Sequence, residues 1–396
     1  MLDSITIIML ILRRVMWIVY WWIGHIFQMF FFLPIRKNRV LFLAQDGLQY
    51  CCNPKYISEY LMDHGADIEM IWGFFHPKVY TDIPGIKAVR VHSIAWFYYA
   101  FTSSVVITNT DLPRAHPKRK GQLVIDTWHG GGSYKRVDIS EDHNRSCGIE
   151  SRVRREFIGK LDLFVSSSRV FTEITIRKAF GYQGEVLCCG MPRNDLFFDE
   201  DRRTEIARRI RKKLGVTGYI VVYAPTFRGK FWLGCSSKDS FPYRKVLAVL
   251  KQRFKGPVTI LKRAHPGGKM IRDEEKGVID VTDYADFQEL LCAADMLITD
   301  YSSSIWDFSL LERPCLLYMP DLEEYTAQRG LSSSVEEWPG IVCRSDDELC
   351  EAILNLNEQD CARRAKQHLQ DLGSYETGTA TRQVCERILQ HIGAAG

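Results

Sequence analysis

After residue 38, short apolar runs alternate with helical periodicity almost to the end of the chain. Val40–Ala44, Met70–Phe75, Val89–Val91, Val105–Thr108, Leu123–Thr127, Leu163–Ser166 and Val186–Cys189 read as strands. A second series begins at Tyr219, with Ile220–Tyr223, Val258–Leu261, Val278–Val281, Met296–Thr299, Cys315–Tyr318 and Ile341–Cys343. Strands spaced by helical patterns imply βαβ units and parallel sheets. The pattern therefore predicts two doubly wound α/β domains, over 38–200 and 215–396, with a ligand cleft between them. The helical stretch from Asp346 to Ile392 is expected to close the second domain and to reach back to the first. A basic helix, Asp201 to Leu214, reads as a solvated linker.

Residues 1–37 break this pattern. Ile5 to Leu33 is apolar except for Thr6, Arg13, Arg14, Gly24, His25 and Gln28. At about 100° per residue these six fall in one sector of about 120°, which also holds Trp17 and Trp21. A helix lying in a membrane interface gathers its polar residues this way, whereas a spanning helix has no need to. No basic region precedes the apolar run and no small-residue cleavage site follows it, so a cleaved signal peptide is not expected. Arg36, Lys37 and Arg39 would then meet anionic headgroups. The expected location is the cytoplasmic face of a membrane, held peripherally or monotopically by this helix.

Composition adds three exclusions. The chain has 396 residues, 46% hydrophobic and 25% charged, as in an ordinary globular protein. A formal charge of +4 gives no argument for nucleic acid. Twelve scattered cysteines contain no C-x-x-C pair, which points to reduced thiols rather than a zinc site or a disulfide frame.

Three segments carry candidate chemistry, each just after a strand. Thr299-Asp300-Tyr301-Ser302-Ser303-Ser304 joins an apolar strand to a helix containing Asp307. Serines at a helix start suit a phosphate cradle with open backbone N–H groups. Thr127-Trp128-His129-Gly130-Gly131-Gly132-Ser133-Tyr134-Lys135 delivers a histidine to a strand end, where it can act as a general base. Lys262-Arg263-Ala264-His265-Pro266 has the composition of an anion site. Each alone also fits an ordinary turn. In doubly wound domains such strand ends share one crevice, so the signals add. The set lacks a P-loop, a G-x-G-x-x-G fingerprint and an Asp-x-Asp pair. Asp300 and Asp307 could hold Mg²⁺, but no ligand spacing compels it.

Taken in order, Thr-Trp-His-Gly (127–130), Gly-Met-Pro-Arg-Asn-Asp (190–195), Tyr-Ala-Pro-Thr-Phe-Arg (223–228), His-Pro (265–266), Ile-Thr-Asp-Tyr-Ser-Ser (298–303) and Asp-Leu-Glu-Glu-Tyr with Arg-Gly (321–330) resemble the CDP-glycerol glycerophosphotransferase family. The resemblance implies a GT-B arrangement and transfer of glycerol phosphate from CDP-glycerol, with release of CMP. It implies His129 as the base acting on the acceptor hydroxyl and His265 as the group holding the transferring phosphate. Thr299, Asp300, Ser302, Ser303, Asp307, Lys262 and Arg263 would line the donor, and Gly130, Gly131, Lys135 and Arg193 the acceptor side. The implied acceptor is a lipid-linked saccharide on a polyprenyl diphosphate or a growing glycerophosphate polymer. Lys135 stands six residues after His129, a spacing closer to the enzymes that add a first unit than to the long-chain polymerases. A CDP-ribitol donor, a nucleotide-sugar glycosyltransferase and a non-catalytic partner in polymer assembly remain alternatives.

Overall fold

The computed structural model describes residues 31–65, 67–110, 112, 116, 118–137, 155–226, 240–264 and 276–393, together with Val15, Val19 and Trp22. Every predicted strand is present. The first sheet is built from β1 (Arg36–Leu43), β2 (Glu69–Phe74), β3 (Ile86–Arg90), β4 (Ser103–Thr108), β5 (Leu123–Asp126), β6 (Leu163–Ser166) and β7 (Glu185–Cys188). The second contains β8 (Tyr219–Ala224), β9 (Val258–Lys262), β10 (Val278–Asp280), β11 (Met296–Thr299), β12 (Cys315–Tyr318) and β13 (Ile341–Cys343).

Their orders are β3-β2-β1-β4-β5-β6-β7 and β10-β9-β8-β11-β12-β13, and the strands in each pair in parallel. Strands such as Met296–Thr299 and Cys315–Tyr318 are buried along their whole length. That burial is why they read as continuous apolar runs: helices cover both faces of a parallel sheet. In each sheet the order reverses once, between β1 and β4 and between β8 and β11. Ligands of doubly wound sheets sit outside the strand ends at such a reversal.

The helices are α1 (Cys52–Asp63), α2 (Ile94–Thr102), α3 (Glu200–Leu214), α4 (Tyr243–Arg253), α5 (Phe287–Ala293), α6 (Ser304–Ser309), α7 (Leu322–Arg329), α8 (Asp346–Leu354), α9 (Glu358–Asp371) and α10 (Ala380–Ile392). Several start on the caps their residues suggest. Asp199 accepts from Arg202 N, Asp286 from Gln288 N and Ser345 from Glu348 N. The basic helix α3 ends on Gly215 at φ 64°, the left-handed position that glycine takes without strain.

Each sheet has an apolar layer on either face. The C-terminal stretch is divided between the halves. Ala380, Val384, Cys385 and Ile388 of α10 pack with Val40, Ile57 and Val105 of the first half, so the range 215–396 is not one unit. Conversely, Tyr56 and Tyr134 of the first half lie in the core of the second. The ten described cysteines are free thiols, and all but Cys188 are buried.

The expected N-terminal helix lies almost wholly outside the described residues. Val15, Val19 and Trp22 are helical, and each is about half exposed at 50%, 48% and 58%. Among the described residues no helix is long and apolar enough to cross a membrane. Arg119 joins the end of this segment to the first half, donating to the carbonyls of Phe31 and Phe101, both at 2.6 Å.

Candidate active site

The histidine segment leaves β5 through a sharp turn. Asp126 Oδ1 accepts from Trp128 N at 2.7 Å, and Trp128 adopts φ 51°, in the left-handed region. This turn sends the His129 ring towards the end of β4, where Nδ1 lies 2.7 Å from the Asn109 carbonyl oxygen. A carbonyl only accepts, so Nδ1 carries the hydrogen and Nε2 of the neutral ring keeps its lone pair. The Trp128 indole stacks on the imidazole at 4.4 Å and meets Phe180 edge-on at 4.8 Å.

Asn53, at the start of α1, holds this backbone. Its Nδ2 donates to the carbonyls of Thr127 (3.1 Å) and Trp128 (2.9 Å), and its Oδ1 accepts from Arg193 N at 3.0 Å.

In the second half, the residues after β8 and β11 meet at the strand-order reversal. Asp300 is buried and accepts from Thr226 N with both oxygens, at 2.8 and 2.9 Å, and from Tyr301 N at 2.6 Å. Thr299 Oγ1 donates to the Ala224 carbonyl at 2.6 Å. The side chains of Thr299 and Asp300, expected on the donor, are thus used to tie the two strand ends together.

The serine turn also differs from expectation. Ser303 stands at the N-cap of α6 without a side-chain cap, and α6 has six residues. Ser304 N donates to Ser302 Oγ, Ile305 N to the Ser302 carbonyl and Trp306 N to the Ser303 carbonyl. These N–H groups close a tight turn and do not stand open. What Ser302 and Ser303 offer is their own half-buried surface.

Lys262 ends β9 and Arg263 follows it. Lys262 lies over the Tyr243 ring at 5.5 Å. Arg263 donates to the Tyr284 carbonyl and covers the Phe287 ring at 4.9 Å; burial pushes its pKa down. His265 lies outside the described residues.

Close contacts join the two lips. A Cβ on Gly130 would stand 3.1 Å from Ser303 Cβ, and one on Gly131 would overlap the Trp306 indole. Gly131 is therefore demanded by the approach of Trp306 on α6. Lys135 Nζ reaches Thr226 Oγ1 at 3.4 Å, and its backbone bridges to Leu331. Lys135 thus lies against the donor half and not on the acceptor side alone.

Arg193 and Asp307, assigned to opposite substrates, bind each other. Arg193 NH2 reaches both Asp307 oxygens, at 3.0 and 2.9 Å, with both side chains buried. Burial pushes the Asp307 carboxyl up and Arg193 pulls it back. For Arg193 burial opposes the charge, but Asp307 and Cys52 beside it outweigh burial and the net shift is upward. Among the described residues no group of three or more His, Cys, Asp or Glu side chains is placed to hold a metal ion.

Sequence reasoning missed Asn53, Asn109, Lys55, Asp286 and Glu376. Lys55 pairs with Asp286, and Tyr56 OH donates to the same carboxylate at 3.0 Å, which pins α1 to α5. Glu376 accepts from Met191 N (3.0 Å), Asn194 Nδ2 (3.0 Å) and Trp306 Nε1 (2.9 Å), and burial pushes its pKa up to about 7. None of these lies in a motif with chemical spacing. Their only signal was a polar residue beside an apolar run.

Two parallel sheets of Rossmann order, with a histidine on one lip and a serine turn on the other, define a GT-B-type transferase. The family model described as CDP-Glycerol:Poly(glycerophosphate) glycerophosphotransferase matches residues 25–390. The chain belongs to that family and is an enzyme of the CDP-glycerol glycerophosphotransferase type. It is 29% identical to the teichoic acid poly(glycerol phosphate) polymerase of Bacillus spizizenii, over 92% of this chain and 95% of that one. It is 28% identical to the teichoic acid glycerol-phosphate transferase of Staphylococcus aureus, over 90% and 94%. The structure of the wall teichoic acid polymerase TagF, in a variant soaked with CDPG, superposes with a TM-score of 0.82 at 26% identity, covering 99% of each chain.

Proposed function

We propose that the protein transfers glycerol phosphate from CDP-glycerol to a hydroxyl of a membrane-borne acceptor, a lipid-linked saccharide or a growing glycerophosphate chain. The observation that carries this reading is the junction of Gly130 with Ser303, which brings the segment bearing His129 against the serine turn of the donor half. His129 Nε2 takes the acceptor proton as that oxygen bonds to the glycerol-linked phosphorus. The bond from phosphorus to the CMP oxygen breaks, and CMP leaves. Ser302 and Ser303 bind the donor diphosphate at the strand reversal, Lys135 adds positive charge, and His265 steadies the transferring phosphate. The task is positioning and stabilisation of charge on the phosphoryl oxygens.

The exposed apolar face at Val15, Val19 and Trp22 supports the second part of the reading. The N-terminal helix lies in the cytoplasmic face of a membrane and holds the cleft near a lipid-borne diphosphate. The direct test incubates the protein with CDP-glycerol, CDP-ribitol and UDP-sugars and follows nucleotide release. CMP from CDP-glycerol is expected. CMP from CDP-ribitol alone would move the reading to a ribitol donor, and UDP release without CMP would overturn it.

A further inference from the structure

We propose that Arg193 is a positioning residue that sets the distance between the base and the donor turn, and not a ligand of the acceptor. This rests on the reading of His129 and the Ser302–Ser303 turn given above. Three consecutive carbonyls of the base segment are held. Asn53 binds those of Thr127 and Trp128, and Arg193 NH1 binds that of His129 at 2.7 Å. Asn53 also accepts from Arg193 N, so the two clamps are themselves joined. The other face of the same guanidinium grips Asp307, one helical turn after Ser303. Gln288 Nε2 donates to Asp307 Oδ2 at 3.1 Å and holds the carboxylate in place. Cys52 Sγ takes a further contact from NH1 at 3.1 Å.

The guanidinium is planar, so NH1 on the His129 carbonyl and NH2 on both Asp307 oxygens are held at a fixed separation and angle, which a single flexible ammonium does not provide. A buried ion pair is a weak source of stability, because desolvation offsets its attraction. Such a pair spanning the base segment and the donor helix is accounted for by geometry. A displacement of about 1 Å at the reacting atoms costs on the order of 100-fold in rate.

Two variants test this. Arg193→Lys keeps the charge and loses the fork. The double variant Arg193→Met with Asp307→Leu removes both charges and keeps an apolar contact, so the fold does not bury a lone ion. Each is compared with the wild type by CMP release against CDP-glycerol concentration and by ¹⁵N NMR of the His129 imidazole. For both variants kcat is expected to fall roughly 100-fold, with KM for CDP-glycerol changed by less than about threefold. The His129 nitrogens are expected to leave the single Nδ1–H form for an average of two tautomers. A kcat within about threefold of wild type in either variant overturns the proposal. So do unchanged His129 nitrogen shifts. Should the wild type release no CMP from CDP-glycerol, the donor assignment fails, and the NMR comparison alone still decides the role of Arg193.

Discussion

The main-chain carbonyl oxygen of Asn109 accepts from His129 Nδ1 at 2.7 Å, which leaves Nε2 as the basic nitrogen of the neutral ring. A main-chain carbonyl can only accept, so whenever the ring is neutral its hydrogen sits on Nδ1. Loss of the base is expected to lower kcat by about 10² to 10⁴. His129→Ala should therefore nearly abolish CMP release while the circular dichroism and thermal unfolding stay near wild type. Retained activity would remove His129 from the chemistry.

Gly131 and Gly130 face the donor half with different clearances. A methyl group on Gly131 overlaps the Trp306 indole, whereas one on Gly130 meets Ser303 at 3.1 Å. Gly131→Ala is expected to destabilise by about 1–3 kcal/mol, and Gly130→Ala by less. Urea unfolding of both variants checks the order.

Glu376 gives a stability that declines with alkalinity. Its pKa rises from 4.5 to about 7 because burial disfavours the carboxylate. The folded state therefore holds a proton that the unfolded chain releases. The contribution is complete below pH 4.5 and is lost as pH rises through 7, by up to about 3 kcal/mol. Glu376→Gln forfeits a hydrogen bond, so it should be less stable than wild type at pH 4.5, and the gap should narrow or reverse by pH 8. A constant gap in urea titrations would show that Glu376 stays ionised throughout.

His368 acts in the opposite sense. Tyr134 OH lies 2.9 Å from its Nε2, and Nδ1 faces the Glu337 carbonyl at 3.1 Å. Burial lowers its pKa from 6.5 to about 4. Stability from this group is complete above pH 6.5 and is lost as pH falls through 4, because the unfolded chain takes up the proton first. His368→Gln should flatten the acid limb of the stability profile between these values. Because Tyr134 carries the contact across from the first half, tryptophan fluorescence at the Trp338 contact should report the same transition.

Removing residues 1–33 should leave turnover on soluble acceptor analogues and impair it on lipid-linked ones. In whole membranes, carbonate is expected to release the intact protein. Equal use of both acceptors by the truncated form would end the proposed role of the helix.

The strands were legible because central parallel strands, covered on both faces, are mostly apolar, and that pattern is local. All thirteen expected strands are found, most within a residue or two of their predicted bounds. The family was legible too, since its six motifs are short runs of neighbouring residues in a fixed order. The lone polar residues that organise the site were not. Asn53, Asn109 and Glu376 lie 76, 20 and 247 residues from His129, and nothing local distinguishes them from surface polar residues.

The sequence by itself determined two doubly wound sheets, the candidate base and the serine turn, because periodicity, strand ends and short motifs are properties of neighbouring residues. Only the tertiary structure decided how those pieces are used. It turned Thr299 and Asp300 inward to join strands, paired Arg193 with Asp307, and moved α10 onto the first sheet. Those outcomes depend on which distant polar atoms meet after the sheets have packed. A buried donor or acceptor must find a partner there, and the partner need not be near in the chain.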